Sequence, residues 1–267
     1  MLKTSLIIST YNKKEILEIV LESAFDQTCR PGEIVIADDG SQEDTVELIR
    51  EMSKRSPVPL LHVWQPDDGY RLPSSLNNAI VASSGEYLMF VDGDCFLNRH
   101  FVEDHLSYAE PGRYVAGSRV NIVKKRQEYI LRTKDRRISV FSWGTTKKLH
   151  TIRSKFLAGL RRRGGMAGAN FSIWRSDLEK VNGFNERFNG QGGSDADLAR
   201  RLERAGVVLK KMVHLGIIYH FAHPMPDRRY SGLSIPEIWN STPEEEKVRC
   251  RLGLDRALKE GVTILNR

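Results

Sequence analysis

The chain has 267 residues, of which 40% are hydrophobic and 28% charged, with a net charge of +7, a composition typical of a soluble globular protein. No run approaches the ~18–20 consecutive apolar residues that cross a bilayer, and the amino-terminal apolar run is too short for a secretory signal. Cys29, Cys95 and Cys250 are odd in number and lack Cys-x-x-Cys spacing, which excludes a disulfide framework or structural zinc site and suits a reducing cytosol.

In chain order, residues 4–9 read as a buried strand ending in the turn Thr10-Tyr11-Asn12. From Lys13 to Gln27, Ile16, Leu17, Val20, Leu21, Ala24 and Phe25 recur at helical spacing. Glu33–Ala37 is a second strand, closed by Asp38-Asp39-Gly40-Ser41, and Val46, Leu48, Ile49 and Met52 predict the next helix. A strand at 60–64, a helix near 74–83 and a strand at 87–91 follow. Beyond them come a helix at Phe101–Ala109 and a single strand at Tyr114–Val120. Phe171–Trp174 predicts a strand, and Ser176–Glu179 a capped helix start. In the helix expected at 195–205, Ser194 and Asp197 fit the N-cap and the third helical position. Gly216–Tyr219 predicts a last strand with His220 just after it, and the tail suggests a helix near 243–252.

Strand and helix in alternation predict an α/β fold with a mainly parallel sheet covered on both faces. Three strand ends bear polar residues: Thr10-Tyr11-Asn12, Asp38-Asp39 and Asp92-Gly93-Asp94. Such ends meet at the carboxyl edge of an open sheet, where ligands bind, and describe a nucleotide crevice. Asp92 and Asp94, one residue apart, suit a divalent cation with positions left for phosphate oxygens; an acidic turn uses the same residue types. Cys95 beside them reads as a small apolar filler.

Ser5–Asn12 with Gln27-Thr28, Asp38–Ser41, Asn77, Gly85-Glu86-Tyr87 and Val91–Asp94 resemble the family-2 glycosyltransferases of the GT-A fold. Gly168–Ser172 and Gly183–Asp197 resemble the acceptor-side segment shared by β-1,4-galactosyltransferase-like and chondroitin-polymerase-like enzymes. The resemblance covers about residues 4–225. It implies a nucleotide-sugar half at 1–110, an acceptor and catalytic half at 111–225 with a basic, partly helical insertion, and a tail at 226–267. The implied reaction is an inverting transfer of a hexosyl or N-acetylhexosaminyl group from UDP to a saccharide hydroxyl, in cell-surface glycan synthesis. Mn²⁺ or Mg²⁺ would neutralise the leaving diphosphate. By the same resemblance Asp94 is the main metal ligand, and Asp92 touches ribose or metal-bound water. Asp39 accepts from the uracil imide, Thr10 and Tyr11 line the base pocket, and Asn77 belongs to the nucleotide-sugar site. Asp195 is the catalytic base, and His220 offers an imidazole to the metal with His223 as its competitor.

The sequence departs from the family at Ser194, where relatives often have Glu, which puts the acceptor's identity in question. Leu76 stands where many relatives have Arg, and Arg71 is the candidate to supply that cation. The Gln-x-x-Arg-Trp signature of processive synthases is absent, so one sugar per encounter is expected.

Arg119–Arg163 holds 15 Lys and Arg against 2 acidic residues, a local balance of +13 that leaves −6 elsewhere. Such a segment suits an anionic membrane surface, at roughly 1 kcal/mol per basic residue, and would hold the enzyme at the inner face if the acceptor is lipid-linked. A merely solvated face is the alternative; nucleic acid is not expected, for lack of a binding-module signature. Two competing functions are a sugar-phosphate nucleotidyltransferase and a non-catalytic sugar-nucleotide or saccharide binder. The first lacks its glycine-rich loop at 7–15, and intact Asp92, Asp94 and Asp195 speak against the second.

Overall fold

The computed structural model describes residues 2–160, 168–190, 192–221 and 235–266. Every residue of β1 (Thr4–Thr10) and β2 (Glu33–Asp38) is buried, which is why both read as unbroken apolar runs. Between them α1 (Lys14–Phe25) buries Leu17, Val20, Leu21 and Ala24 against the sheet. In α2 (Glu43–Arg55), Glu43 and Asp44 open the helix while Lys54 and Arg55 close it, each complementing the helix dipole. Next come β3 (Leu60–Trp64), α3 (Leu72–Ala82), with Pro73 in its first turn, and β4 (Tyr87–Asp92).

The second half contains β5 (Cys95–Leu97), α4 (Phe101–Tyr108), β6 (Arg113–Ala116), β7 (Arg119–Ile122), α5 (Lys124–Thr133) and α6 (Lys155–Leu160). After these follow β8 (Asn170–Trp174), α7 (Arg175–Lys180), α8 (Ser194–Arg204), β9 (Val208–Lys211) and β10 (Ile218–Phe221). The chain closes with α9 (Ile235–Asn240), α10 (Leu254–Glu260) and β11 (Thr263–Asn266). The main sheet has the order β11-β3-β2-β1-β4-β8-β6-β9. Only β8 and β11 run against their neighbours in it. Apolar side chains fill both of its faces, Leu6, Ile8 and Ile36 on one and Ile7, Val35 and Phe90 on the other. α3 carries the chain from β3 back across β1 to β4, so the strand order switches direction between β1 and β4. In open sheets the crevice beyond that switch point is the ligand site.

A second sheet has three strands in the order β5-β10-β7. The single strand expected at Tyr114–Val120 is in fact two, β6 and β7, in different sheets. The break falls at Gly117, where an added Cβ would lie 2.3 Å from the Gly216 carbonyl and 2.7 Å from Asn170 Nδ2. The Asn170 amide holds this crossing, donating to Ser118 O at 3.0 Å and Gly216 O at 2.7 Å. His220, expected after the last strand, sits inside β10, directly opposite Cys95 of β5.

The helix starts also differ. Neither Trp174 before α7 nor Gly193 before α8 makes a side-chain cap. Ser194 is the first residue of α8, and the Asp197 carboxylate accepts from Arg201 Nε at 2.7 Å instead of capping. The helix expected near 243–252 is a short 3₁₀ turn at Glu244–Lys247, flanked by α9 and α10. Beyond it β11 returns to pair with β3, its register shifting between Ile264 and Asn266. Among the described residues no helix is long and apolar enough to cross a membrane.

Candidate active site

β1 and β4 run side by side with Ser9 opposite Asp92, so the ends of both strands reach the crevice together. Ser9 Oγ donates to Asp92 Oδ1 at 3.2 Å. Two residues on, Asp94 is buried, and its Oδ2 takes an ion pair from Lys13 Nζ at 2.8 Å. The other oxygen, Oδ1, lies 3.7 Å from His220 Nε2 and accepts from the Cys95 thiol at 3.4 Å. The antiparallel register of β5 and β10 places His220 there.

These neighbours separate the two carboxyls. Desolvation, and after it the charge of Asp94, pushes Asp92 up to about 7, with Asp195 adding to the rise. Burial also works to raise Asp94, but the Lys13 ammonium and then His220 outweigh it and hold that carboxyl below its usual range. Burial, followed by the two aspartates, keeps the Cys95 thiol well above its ordinary value. Ligand atoms of Asp94, Cys95 and His220 lie within 4.8 Å of one another. The carboxylate suits Mn²⁺ or Mg²⁺, the imidazole is more at home on Mn²⁺ than on Mg²⁺, and a protonated thiol contributes little to a hard cation. The ammonium of Lys13 on Asp94 shows that the site already draws positive charge.

Asp195 lies in the first turn of α8, after the left-handed Gly193 (φ 102°). Its Oδ2 accepts from the Gly168 backbone N–H at 3.1 Å. A Cβ on Gly168 would meet that oxygen at 2.8 Å, so a side chain there would crowd the carboxylate. Asp92 and Asp195 line one cavity of about 650 Å³, together with Leu76, Phe184, Arg119, Lys147, His150 and Lys211. That volume is within the range of small-molecule sites.

Next to it, β2 ends in two aspartates with opposite tasks. Asp38 is fully buried and structural, its carboxylate bonded to His62 at 2.8 Å and to the Ser41 N–H at 2.8 Å. Asp39 accepts from Gln65 Nε2 at 2.6 Å and from the Arg71 backbone N–H at 2.8 Å. Thr10 Oγ1 is buried with no hydrogen-bond partner among the described residues, as an atom kept for a ligand would be.

Residues 5–175 match the family Glycosyl transferase family 2. The chain belongs to that family. Residues 148–224 also match the N-terminal domain of galactosyltransferase. Validoxylamine A glucosyltransferase of Streptomyces hygroscopicus subsp. limoneus is 26% identical over 220 residues, 76% of this chain and 48% of that protein. Chondroitin synthase of Escherichia coli is 26% identical over 250 residues, 82% of this chain and 35% of that protein. The family 2 chain thus spans less than half the length of these two relatives. Among solved structures, the mannosyltransferase PcManGT from Pyrobaculum calidifontis, in complex with GDP-Man and Mn²⁺, is similar with a TM-score of 0.56 at 18% identity. The similarity covers 85% of this chain and 58% of that one, and the shared fold is GT-A.

Within this family 2 domain, Asp92, Asp94, His220 and Asp195 converge, and Thr10 and Asp39 end the neighbouring strands. Tyr11 OH donates to Asp67 at 2.8 Å. Arg71 leaves the expected role open, because its guanidinium donates to Pro66 O at 2.5 Å and faces Asp68 at 3.8 Å. Asn77 is fully buried and spent on scaffolding: its amide bonds the Phe184 carbonyl at 2.8 Å, the Phe184 N–H at 2.9 Å and Glu186 at 2.9 Å. These bonds position Phe184 in the cavity wall. His223 lies outside the described residues. Lys13 went unnoticed in the sequence because a lysine opening a helix looks solvated, although it directly follows the polar turn Thr10-Tyr11-Asn12.

Proposed function

We propose that this family 2 domain transfers one hexosyl or N-acetylhexosaminyl group from a UDP-linked donor to a hydroxyl of a saccharide acceptor, with inversion. The observation that carries this reading is the shared cavity, lined by the Asp92 carboxylate and by an Asp195 carboxylate fixed on the Gly168 N–H. Asp195 accepts the proton of the acceptor hydroxyl as its oxygen bonds to the anomeric carbon. The bond from that carbon to the diphosphate oxygen breaks, and its electrons leave with the nucleoside diphosphate. Asp39, Thr10 and Tyr11 hold the nucleoside, and Asp92 takes its ribose or a metal-bound water. Asp94 and His220, with Asp92, would hold Mn²⁺ or Mg²⁺, which would neutralise charge on the diphosphate.

The insertion supports a second element of this reading, an anionic membrane surface at the cytoplasmic face. Of the ten exposed large apolar side chains among the described residues, six fall between Val123 and Phe156, within the basic segment. Exposed aromatics among lysines and arginines suit the headgroup region of anionic lipid. A lipid-linked saccharide acceptor in cell-surface glycan synthesis would fit that location.

The experiment is nucleoside diphosphate release from a panel of UDP- and GDP-sugars, with Mn²⁺ and then EDTA. One donor should give release that EDTA abolishes. Asp195→Asn should cut turnover by about 10²–10⁴-fold, the usual worth of a positioned base, with nucleotide-sugar affinity kept. Failure to bind any nucleotide sugar would overturn the reading.

A further inference from the structure

The carboxyl-terminal helix α10 reaches the nucleotide end of the crevice through a chain of polar side chains. Leu254 is buried, and two backbone N–H groups hold the start of the helix on Asn182: that of Leu254 on its carbonyl at 3.0 Å and that of Asp255 on its Oδ1 at 3.0 Å. So anchored, α10 packs on α3 and presents Arg256 to it. Arg256 Nη2 donates to Asn78 Oδ1 at 2.9 Å, and Asn78 Nδ2 donates to Gln65 Oε1 at 3.0 Å. Gln65 Nε2 in turn donates to Asp39 Oδ1 at 2.6 Å. Asn78, Gln65 and Asp39 are all buried, where a lost partner is costly. A guanidinium only donates and a carboxylate only accepts, whereas an amide does either according to which way it faces. With Arg256 at one end and Asp39 at the other, the two amides line up in one direction only. Reversing them would set Gln65 Oε1 against the Asp39 carboxylate, and against the Arg71 carbonyl that Gln65 Nε2 now reaches at 3.3 Å. The guanidinium is itself steadied by Glu186, which accepts from Nε at 3.0 Å and from Nη2 at 3.0 Å, a forked geometry that fixes its plane.

We propose that Arg256 is a positioning residue: it sets the direction of this chain, and thereby the orientation of Asp39 towards the base of the donor nucleotide. This rests on the transferase reading above, in which Asp39 holds the nucleoside, and specifies what makes that carboxylate selective. With the direction fixed, Gln65 leaves Asp39 as an acceptor for the imide N–H of uracil. Without a donor at the far end the amides can turn, and a turned Gln65 pushes the carboxylate away. The effect is confined to reading of the base, because Arg256, Asn78 and Gln65 stand outside the lining of the cavity shared by Asp92 and Asp195.

Calorimetry with UDP and with N3-methyl-UDP, whose base lacks the imide hydrogen, tests this in the presence of Mn²⁺. Wild type, Arg256→Met, Arg256→Lys and Asn78→Asp are compared. Wild type should prefer UDP by about 10- to 100-fold, the range for a hydrogen bond to a charged group. Arg256→Met removes the donor. Asn78→Asp keeps an ion pair with Arg256 but makes Gln65 turn its amide nitrogen away from Asp39. Both should cut the preference by about 10-fold, whereas Arg256→Lys, which still donates, should keep most of it. Affinity for N3-methyl-UDP should hold in every variant, which also shows that each one folds. An unchanged preference in Arg256→Met or in Asn78→Asp overturns the proposal. So does equal weakening of both nucleotides, the mark of a residue that only supports the fold. Equal binding of the two nucleotides by wild type overturns it as well, but leaves the transferase reading in place. Failure of wild type to bind either nucleotide overturns the UDP-linked reading, and the proposal with it.

Discussion

At the residue scale, the placing of one carboxylate rests on an atom that is absent. Gly168 approaches Asp195 so closely that its missing side chain is part of the carboxylate's geometry. Its backbone is not in the left-handed region, so alanine there brings a clash without backbone strain. Gly168→Ala should push the carboxylate aside and lower kcat by about 10²-fold, the order expected when a reacting group moves by an ångström. Nucleotide affinity and thermal midpoint should change little. An unchanged kcat would mean that Asp195 is not placed by this contact. That Asp92, Asp94 and Asp195 sit at the crevice was legible in the sequence, because they stand at a strand end and after a glycine-rich loop. The local reading could not separate Asp38 from Asp39, since burial of Asp38 against His62 depends on a partner 24 residues away.

At the scale of elements, α8 is pinned to the chain before it by a buried arginine that an ion pair within the helix holds in place. The Arg201 guanidinium is fully buried, held by Asp197 and donating to the Val181 carbonyl at 2.7 Å and the Gly183 carbonyl at 2.9 Å. Removing one partner of such a pair leaves an uncompensated charge, at about 3–5 kcal/mol. Asp197→Asn should therefore lower unfolding stability in urea by about that amount and reduce activity indirectly, by loosening the turn that bears Asp195. A capping role would have cost only about 1 kcal/mol, so the size of the loss separates the two. The sequence pattern suggested a cap because it shows spacing along the chain and not which carbonyls a distant arginine can reach.

α4 has a different sensitivity. His105 is fully buried between Ser172 Oγ at 2.6 Å and Asn170 Oδ1 at 3.1 Å. Desolvation drives its imidazole down to about 3, against the partial support of Asn170. The folded state therefore holds it neutral while the unfolded chain protonates it below about 6.5. Between those values the unfolded state binds the extra proton, so stability falls as pH falls, by at most about 1.4 kcal/mol per unit. Urea titrations at several pH values should show His105→Gln losing less stability than wild type over that window. Parallel slopes would contradict this account.

For the whole molecule, the parallel core and its helices follow from the apolar runs, and they were readable with boundaries off by a residue or two. The split of β6 from β7 was not, because the Gly117 crossing is decided by Gly216 and Asn170, both remote in sequence. Nor could composition tell a solvated basic segment from one that displays Phe141, 92% exposed, and Phe156, 78% exposed. At this scale the prediction is lipid-dependent association: the protein should float with vesicles containing phosphatidylglycerol, and release at high salt as screening grows. Phe141→Ser with Phe156→Ser should weaken flotation without affecting nucleotide binding. Equal behaviour with phosphatidylcholine vesicles would refute the membrane surface.

The outer strands of the main sheet decide how copies of this molecule can meet. A regular, uncharged edge invites another chain to add a strand. Here one border is β11, whose pairing slips out of register after Ile264. At the other, β9 presents Lys210 and Lys211, and edge lysines discourage strand addition. Both borders of this sheet are blunted, which disfavours strand addition from one molecule to the next.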